Sequence, residues 1–347
     1  MNSTPAVPPR SNQVSVALFA VVVLVVAGAA VAATAAYFEL RGTATSGGPN
    51  SVAVTDDLGR AVSVPRDPAR VAVLSPSIVD SMARLGLRSH IVGVDCASPS
   101  FGGLGADYDA NQTAAWNLTS AMCVQVIPFN SEQLLNVSPQ LVLASTIISQ
   151  SAVEEIGATL HIPVVILQPV TVSAILTDVQ TLMSIFPTGT LGTALVASLT
   201  AELGKVAGFD AGLSLNDSSL ATVLLTYAVN PEGSTNPGYW TFGPGTFGWS
   251  MVELAGGASA TANVTVPWPE VSGPQVLIAN PQLVVYGTGF GLALPQYAQG
   301  PDWSSLTAVQ SGHAYGIDST LITEPGPSMI LTGLPSLIHL LYPTASP

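Results

Sequence analysis

A segment that occurs twice constrains the fold of this chain more than any other feature of its sequence. The first copy, Glu132–Leu143, reads EQLLNVSPQLVL, and the second, Pro274–Val285, reads PQVLIANPQLVV. Each copy predicts a short helix, a turn marked by proline and a buried strand. A helix-turn-strand unit that recurs at such a distance predicts two lobes built in the same way.

Short apolar runs alternate with helical patterns around both copies, which is typical of an α/β fold. A hairpin around Asp57-Leu58-Gly59 opens the pattern. We expect a mainly parallel sheet flanked by helices in each lobe, because strands that alternate with helices pair in parallel. The predicted strands are Val71–Leu74, Ile91–Val94, Leu141–Ala144, Val164–Leu167, Ala221–Tyr227, Leu283–Tyr286 and Ala314–Ile317, followed by a final helix at Pro327–Leu341.

Between the two sets of strands, residues 172–209 form a long helix-biased stretch that is interrupted at Pro187. Leucines recur in it at every fourth position, which are Leu191, Leu195, Leu199 and Leu203. Such a stripe is typical of a packed helix face. The sequence therefore predicts an N-terminal lobe at 52–169, one long linking helix within 170–211 and a C-terminal lobe at 212–347.

The run Val14–Phe38 contains 25 residues and no charge. As a helix it spans about 37 Å at about 1.5 Å per residue, enough for a hydrocarbon core of about 30 Å. We predict a transmembrane helix or signal at 14–38, with a cytoplasmic tail at 1–13 and a tether at 39–51. Cleavage within the small residues 31–36 is the alternative.

The charges that flank this run, Arg10 before it and Glu39 after it, favour an N-terminus inside the cell and the rest of the chain outside. Asn-x-Ser/Thr sequons, typical of exported proteins, follow the run at Asn111, Asn117, Asn136, Asn216 and Asn263. The two cysteines, Cys96 and Cys123, favour one disulfide in an oxidising compartment, with two buried thiols as the alternative.

Charged side chains are scarce, at 8% of the residues, and the formal net charge is −13. After Arg88 the only lysine or arginine is Lys205. This distribution excludes nucleic-acid binding, which needs clustered bases to neutralise phosphates. With every carboxylate protonated, 8 Lys and Arg plus 4 His would give only +12, so self-repulsion in acid would be small. We therefore expect the outer domain to work in an acidic medium.

The sequence offers no reaction centre. Its histidines are scattered without metal-ligand spacing, at His90, His161, His313 and His339. The sequence contains no phosphate loop, dinucleotide fingerprint or nucleophile elbow. We therefore expect a binding protein rather than an enzyme, with no metal site and no cofactor.

Across residues 52–343 the sequence resembles the solute-binding proteins of ABC importers for cobalamin, iron-siderophore and haem, the class with a single helical hinge. The segments that carry the resemblance are Asp56–Arg60, Pro68–Ser77, Leu85–Leu87, Ile91–Val94, Val266–Ser272, Asp302–Leu306, Ala308–Tyr315 and Gly326–Ser328. The resemblance implies two lobes that capture a bulky ligand in the cleft between them and then dock on a permease.

In this family a glutamate at the start of the repeated helix of each lobe pairs with arginines of the permease. The resemblance therefore implies docking through Glu132 in the first lobe. Pro274 stands at the matching position of the second lobe, where Glu270 is the nearest substitute. This departure keeps a second interpretation open, a surface sensor or interaction domain that has the same fold and no longer couples to transport.

Aromatic residues gather in segments predicted to be loops, where flat rings suit macrocycles or catecholates. The resemblance implies a cleft position for Trp268. We expect the other ligand contacts among Ser75, Tyr108, Trp116, Tyr239, Trp240, Trp303 and Asp318. Packing of each ring over its own loop, and a turn role for Asp318, are the alternatives.

The scarcity of arginine in the second lobe favours a neutral or cationic ligand over an anionic siderophore, although five arginines lie in the first lobe. We therefore predict that the protein is an extracellular, membrane-anchored monomer. It captures a small-molecule metal chelate, such as a ferric chelate, haem or a cobalamin-like corrinoid, and delivers it to an ABC transporter permease.

Overall fold

Two sheets, one in each half of the chain, form the framework of the computed structural model, which describes residues 50–96, 104, 108, 110–213, 220–289 and 291–343. The predicted transmembrane helix at 14–38 and the tail before it lie outside these residues. Within the described ranges no helix combines the length and the hydropathy that a membrane crossing needs.

The N-terminal lobe opens with an antiparallel hairpin and continues with a parallel sheet. Its strands are β1 (Ser51–Thr55), β2 (Ala61–Pro65), β3 (Val71–Leu74), β4 (Ile91–Cys96), β5 (Cys123–Gln125), β6 (Leu141–Ala144) and β7 (Val164–Ile166). The parallel strands follow the order β5-β4-β3-β6-β7. Every residue of β3 and β6 is buried, which explains their continuous apolar sequences because helices cover both faces of such sheets.

The C-terminal lobe contains a mixed sheet. Its strands are β8 (Ala221–Asn230), β9 (Gly238–Thr241), β10 (Gly257–Ser259), β11 (Glu270–Val271), β12 (Leu283–Thr288) and β13 (Ala314–Asp318). Strands β10, β8, β12 and β13 pair in parallel, whereas β9 pairs antiparallel with both β8 and β11. The expected α/β architecture with parallel strands flanked by helices is confirmed, and the antiparallel β9 is an addition to it.

Short helices connect the strands of the N-terminal lobe. They are α1 (Pro76–Arg84), α2 (Ala110–Ala115), α3 (Ser131–Asn136) and α4 (Gln150–Glu154). Asn130 caps α3 by accepting a hydrogen bond from the backbone N–H of Gln133 at 3.0 Å, and Ser149 caps α4 in the same way.

The linking segment consists of two helices, α5 (Ala174–Ile185) and α6 (Gly189–Leu213), rather than the single helix predicted. Phe186 is extended, with φ −114° and ψ 141°, because a residue that precedes proline is disfavoured in the helical region. Helix α5 packs against β1, whereas α6 contacts Phe247–Leu254 and Met329–Gly333 of the C-terminal lobe. The break at Pro187 therefore assigns one helix to each lobe.

The helices of the C-terminal lobe are α7 (Phe247–Leu254), α8 (Gly273–Ala279), α9 (Leu294–Tyr297), α10 (Thr307–Gln310), α11 (Thr320–Thr323) and α12 (Leu334–Leu341). A π-helical turn, Met329–Gly333, leads directly into α12. The last helical segment therefore begins close to its predicted start.

The two copies of the repeated segment fold alike. In the first, Gln140 N–H donates to Arg70 O at 2.8 Å and Gln140 Oε1 accepts from Arg70 N–H at 3.1 Å. In the second, Gln282 makes the same pair of bonds with Thr222, at 2.8 and 3.2 Å. Each glutamine thus fixes the register of its strand against the neighbouring strand, and the expected helix-turn-strand unit occurs in both lobes.

Candidate functional site

A pocket of about 360 Å³ lies between the two lobes. Small-molecule sites typically span about 300–1,000 Å³. The N-terminal lobe contributes α1, α2 and the turn after α1, and the C-terminal lobe contributes the end of β13 and the start of the last helical segment. The lining residues are Asp80, Ala83, Arg84, Arg88, Gln112, Trp116, Asp318, Thr320 and Ser328.

Helix α1 forms one wall of the pocket because it starts at the carboxyl edge of the first sheet, directly after β3. Ser75 precedes it in extended conformation, and Pro76 occupies its first turn, where the fixed φ of proline suits a helix start. The apolar face of α1 packs on the sheet through Ile78, Val79 and Met82. The polar residues Asp80 and Arg84 consequently reach the pocket.

Asp80, Arg84 and Ser328 form a hydrogen-bonded ring across the lobes, which we call the clasp. Arg84 Nε donates to Asp80 Oδ1 at 2.8 Å, and Arg84 Nη2 donates to Ser328 Oγ at 2.8 Å. The backbone N–H of Ser328 donates to Asp80 Oδ2, also at 2.8 Å. Asp80 is only 6% exposed, so the clasp holds a carboxylate away from solvent and neutralises it with a guanidinium group.

Arg88 brings a second guanidinium group to the pocket. It starts the 3-10 turn Arg88–His90, four residues after Arg84, and it forms no ion pair within the described ranges. The charged lining argues against the neutral or cationic ligand that the scarcity of arginine in the second lobe favoured. The two arginines of the pocket belong to the five of the first lobe.

Of the two aromatic residues predicted in the wall that carries Gln112, one lines the pocket and the other is buried behind it. Trp116 lines the pocket. Tyr108 is buried behind it, with its ring centroid 6.1 Å from that of Trp116 in an edge-to-face arrangement. Its hydroxyl donates to Asp95 Oδ1 at 2.5 Å. Tyr108 is therefore core, because its hydroxyl finds a partner inside the lobe.

A disulfide joins Cys96 at the end of β4 to Cys123 at the start of β5, with the Cα atoms 5.6 Å apart. These strands are neighbours in the first sheet. Gln112 and Trp116 lie on the segment between the two cysteines. Both ends of this pocket wall are therefore tied to the same edge of the sheet.

Asp318 lies at the end of β13 and lines the pocket from the C-terminal lobe. Its Oδ1 accepts hydrogen bonds from the backbone N–H and the hydroxyl of Thr320, both at 2.9 Å. The carboxylate therefore stabilises the turn into α11 and is exposed to the pocket at the same time. The expected ligand role and the turn role are compatible at this position.

Three predicted ligand residues belong to the core of the C-terminal lobe instead of the pocket. Tyr239, Trp240 and Trp303 are 0%, 4% and 5% exposed. The Tyr239 hydroxyl donates to Pro301 O at 2.9 Å, and its ring centroid lies 6.1 Å from that of Trp303. Tyr239 and Trp240 stand on β9, inside the sheet, so the loop predicted from the glycine- and proline-rich composition around them is wrong.

Trp268 and Ser75 also make their side-chain contacts within their own lobes. Trp268 is half-buried, and its ring centroid lies 5.6 Å from that of Phe242 and 5.3 Å from that of Phe247. Ser75 is buried, and its hydroxyl lies 2.8 Å from that of Ser77. Neither residue lines the pocket between the lobes, so both fit a packing or turn role better than the expected ligand contact.

The sequence prediction missed Asp80, Arg84, Arg88 and Ser328, which line the pocket. Arg84 is the last residue of α1, and Arg88 lies in the 3-10 turn beyond it, so their spacing of four residues gave no helical signal that both side chains face the pocket. No local signal in the sequence indicates that Ser328 belongs to the pocket, because its hydrogen-bond partners Arg84 and Asp80 are 244 and 248 residues away.

The two copies of the repeated helix present different surfaces. Glu132 is exposed in the first turn of α3. Pro274 takes the matching place in α8, followed by Leu277 and by Ile278, which is 87% exposed. Glu270 lies on β11, where its carboxylate accepts a hydrogen bond from Asn230 and burial raises its pKa. It therefore lies on a strand edge and not at a helix start.

A pair of acids lies between the first hairpin and α5, away from the pocket. Asp57 Oδ2 accepts from the backbone N–H of Gln168 at 2.5 Å, and the side chain of Asp57 is hydrogen-bonded to that of Asp178. Burial, together with the charge of Asp57, raises the pKa of Asp178 to about 9. Burial also raises the pKa of Asp57. The two carboxyl groups consequently share a proton at neutral pH.

The sequon asparagines Asn111, Asn117, Asn136 and Asn263 are all exposed, so each is accessible to a glycosylating enzyme. Asn216 lies outside the described residues. Asn136 is four residues from Glu132, at the other end of α3. A glycan on Asn136 would therefore stand beside the predicted docking carboxylate.

Known proteins resemble this chain along most of its length. An uncharacterized ABC transporter substrate-binding lipoprotein of Bacillus subtilis, YvrC, is 24% identical over 298 residues, which cover 84% of this chain and 86% of the relative. A cobalamin-binding protein of Halobacterium salinarum is 24% identical over 295 residues, with 79% and 70% covered.

Among solved structures, molybdate-bound MolA of Haemophilus influenzae superposes with a TM-score of 0.68 at 20% identity, covering 84% of this chain and 91% of that one. The family model described as periplasmic binding protein matches residues 71–321, a range that contains the main sheets of both lobes and every lining residue of the pocket except Ser328. The expected resemblance is confirmed, and the chain belongs to the periplasmic binding protein family.

Proposed function

We propose that this protein is the extracellular substrate-binding component of an ABC importer and carries a small-molecule metal complex in the cleft between its lobes. The observation that supports this most directly is the pocket, whose walls come from both lobes and whose lining is polar and charged. The cobalamin-binding relative and the substrate-binding lipoprotein have names that fit the same role.

The charges of the pocket narrow the ligand class. Arg84 is already bonded to Asp80, whereas Arg88 has a guanidinium group open to the pocket, so a ligand with an anionic group gains a charge-assisted hydrogen bond there. Trp116 offers a flat ring beside it. We therefore place an anionic iron chelate, such as a ferric catecholate or haem with its carboxylates, ahead of a corrinoid.

A simple oxyanion is the second candidate. The open guanidinium group of Arg88 suits a bidentate contact to oxygen atoms, and the similar structure of MolA carries molybdate. An oxyanion would need only part of the volume of about 360 Å³. A ring-shaped ligand would use Trp116 as well.

The proposed partner is a permease that meets the carboxyl edges of both sheets. Helices α3 and α8 start at these edges, because each follows a strand that ends there and runs back antiparallel to the next strand. Glu132 supplies an exposed carboxylate for an arginine of the permease, whereas α8 presents Pro274 and Ile278 instead of an acid. The alternative, a sensor domain that has lost transport, rests on this difference between the lobes.

The proposed location is the outer face of a cell membrane, with the apolar run 14–38 as a single-pass anchor and the protein as a monomer. The relative from Bacillus subtilis is named a lipoprotein, whereas this chain has cysteines only at Cys96 and Cys123. A hydrophobic helix takes the place of a lipid in this proposal.

Tryptophan fluorescence tests the ligand class, because Trp116 reports on the pocket. Haemin, a ferric catecholate, cyanocobalamin and molybdate are titrated separately into the full chain and into Arg88→Gln. We expect saturable quenching by an anionic complex and about tenfold weaker binding by Arg88→Gln, equivalent to about 1.4 kcal/mol. Arg66→Gln, which changes an exposed arginine outside the pocket, is the control. Absence of binding by all four probes to the folded protein would overturn the transport proposal.

A further inference from the structure

The clasp contains a helix cap supplied by the opposite lobe. The first backbone N–H groups of a helix have no partner within it, and a side chain of the preceding residues normally accepts from one of them. Ser328 stands directly before the segment Met329–Gly333 that leads into α12, and the structure shows no side-chain cap from Ser328 itself. Its N–H donates to Asp80 Oδ2 on α1 of the other lobe.

The contact around this cap is tight. Gly326 is buried, and a Cβ atom at its position would lie 2.9 Å from Ser77 O and 3.2 Å from Asp80 Oδ2. The first distance is shorter than a Cβ atom tolerates and the second is tight, so any larger residue would push the two lobes apart at this contact. The lobes therefore meet through backbone as well as through side chains.

Separation of the lobes would break the two hydrogen bonds that join Ser328 to Asp80 and Arg84. Asp80 would lose its hydrogen bond from Ser328, Arg84 would lose its bond to the Ser328 hydroxyl, and the start of the last helical segment would lose its cap. Water replaces these partners when the lobes separate, so the cost is the net contribution of the charge-assisted hydrogen bonds that are lost. The favourable position of an anion at a helix start adds to this cost.

We infer that Asp80 is a positioning residue that sets the separation of the lobes and the direction of the Arg84 guanidinium group in the pocket. One carboxylate oxygen holds the C-terminal lobe, and the other holds Arg84 Nε. A change in the lobe arrangement therefore also changes the charge that the pocket presents. This inference concerns the protein without ligand and does not depend on the proposed transport function.

Hydrogen exchange of the full chain, measured by mass spectrometry without ligand, tests the cap. In Asp80→Asn we expect amides of residues 326–333 to exchange at least about tenfold faster, because the charge-assisted acceptor is lost. Glu154→Gln removes a carboxylate from the surface of the same lobe, on α4, and should leave these amides unchanged. Equal exchange in Asp80→Asn and the unsubstituted chain would overturn the inference.

The lobe separation is measured by electron spin resonance distances between spin labels at Ala158→Cys and Ser311→Cys, both exposed sites on opposite lobes. Asp80→Asn should broaden the distance distribution, and Glu154→Gln should not. Gly326→Ala disturbs the same contact without any change in charge, so it should also broaden the distribution, and it serves if Asp80→Asn fails to fold. A distribution that stays unchanged in the folded variants contradicts a role for Asp80 in holding the lobes together.

Discussion

Ser138 and Asn280 adopt the same left-handed backbone conformation at matching positions of the two repeated segments, with φ of 43° and 41°. Each residue stands between its helix and the Pro-Gln pair that enters the strand. A helix that must reverse direction in so few residues ends in this conformation, which asparagine tolerates better than serine does. The repeat therefore conserves a backbone shape in both lobes, although one lobe uses a less suitable residue.

This relationship predicts opposite effects of substitution in the two lobes. Asn280→Ala should lower the free energy of unfolding by about 1 kcal/mol, because alanine is strained at positive φ. Ser138→Gly should raise it by a similar amount, because glycine adopts this conformation without strain. Urea unfolding followed by circular dichroism measures both changes, with Asn280→Gly as the matched control. If Asn280→Ala and Asn280→Gly unfold at the same urea concentration, strain at positive φ does not determine the stability at this position.

The acid pair of Asp57 and Asp178 predicts that the fold loses stability as the pH rises. The pKa of Asp178 is raised from 3.8 to about 9 in the folded chain. The contribution of its proton is therefore complete below about pH 4 and is lost as the pH rises towards 9. The charged groups close to the pair are Asp56, whose charge also raises the pKa of Asp57, and Arg60, the ion-pair partner of Asp56.

Asp178→Asn tests this pH dependence, because the amide can still donate a hydrogen bond to Asp57 but does not titrate. Between about pH 4 and 9, the window between the unfolded and the folded pKa of Asp178, the unsubstituted chain should lose stability relative to Asp178→Asn by up to about 1.4 kcal/mol per pH unit. Glu154→Gln, which removes an exposed carboxylate, should follow the unsubstituted chain. Parallel curves for all three proteins would contradict a shared proton in the pair.

The disulfide predicts a measurable loss of stability on its removal. It closes a loop with a sequence separation of 27, for which chain entropy gives about 3.5 kcal/mol. The variant with Cys96→Ser and Cys123→Ser should lose about 3.5 kcal/mol in its free energy of unfolding, measured by urea denaturation. The reduced form of the unsubstituted chain should lose the same amount. Equal stability with and without reductant would show that the bond is not formed in solution.

The exposed carboxylate of Glu132 predicts a defect in transport without a defect in ligand binding. Glu132→Gln keeps the size of the side chain and removes the charge that would pair with the permease, so stimulation of the transporter's ATP hydrolysis should need about tenfold more binding protein. Glu154→Gln, on the same lobe, is the matched control. Ligand affinity, measured by fluorescence, should be equal in all three proteins, and a parallel loss of affinity would argue against docking through α3.

The framework was accessible from the sequence because its signals are local. Strands such as Val71–Leu74 and Leu283–Thr288 are continuous apolar runs, and the copies around Pro139 and Pro281 carry their own turn residues. The break at Pro187 was visible too, although its consequence, two helices instead of one, depends on the extended conformation of Phe186.

The lining of the pocket was less accessible because it depends on contacts between distant parts of the chain. Composition around Tyr239 indicated a loop, yet pairing with β8 and β11 converts the segment into a strand and buries the ring. Arginine counts by lobe favoured a neutral or cationic ligand, yet Arg84 and Arg88 reach the space between the lobes from the first one. Asp318 was identified because it stands at the end of a strand, and Trp116 because aromatic residues gather in the segment between the two cysteines.

The cap that Asp80 provides has a consequence for the order in which the protein matures. Its acceptor and donor are separated by 248 residues, so the bond cannot form until the last helical segment has left the ribosome. The N-terminal lobe can fold during synthesis, because domains generally fold as units from the N-terminus. The ion pair of Asp80 and Arg84 can therefore form before the bond to Ser328 does. The pocket is completed last, and only in chains that have been synthesised to their end.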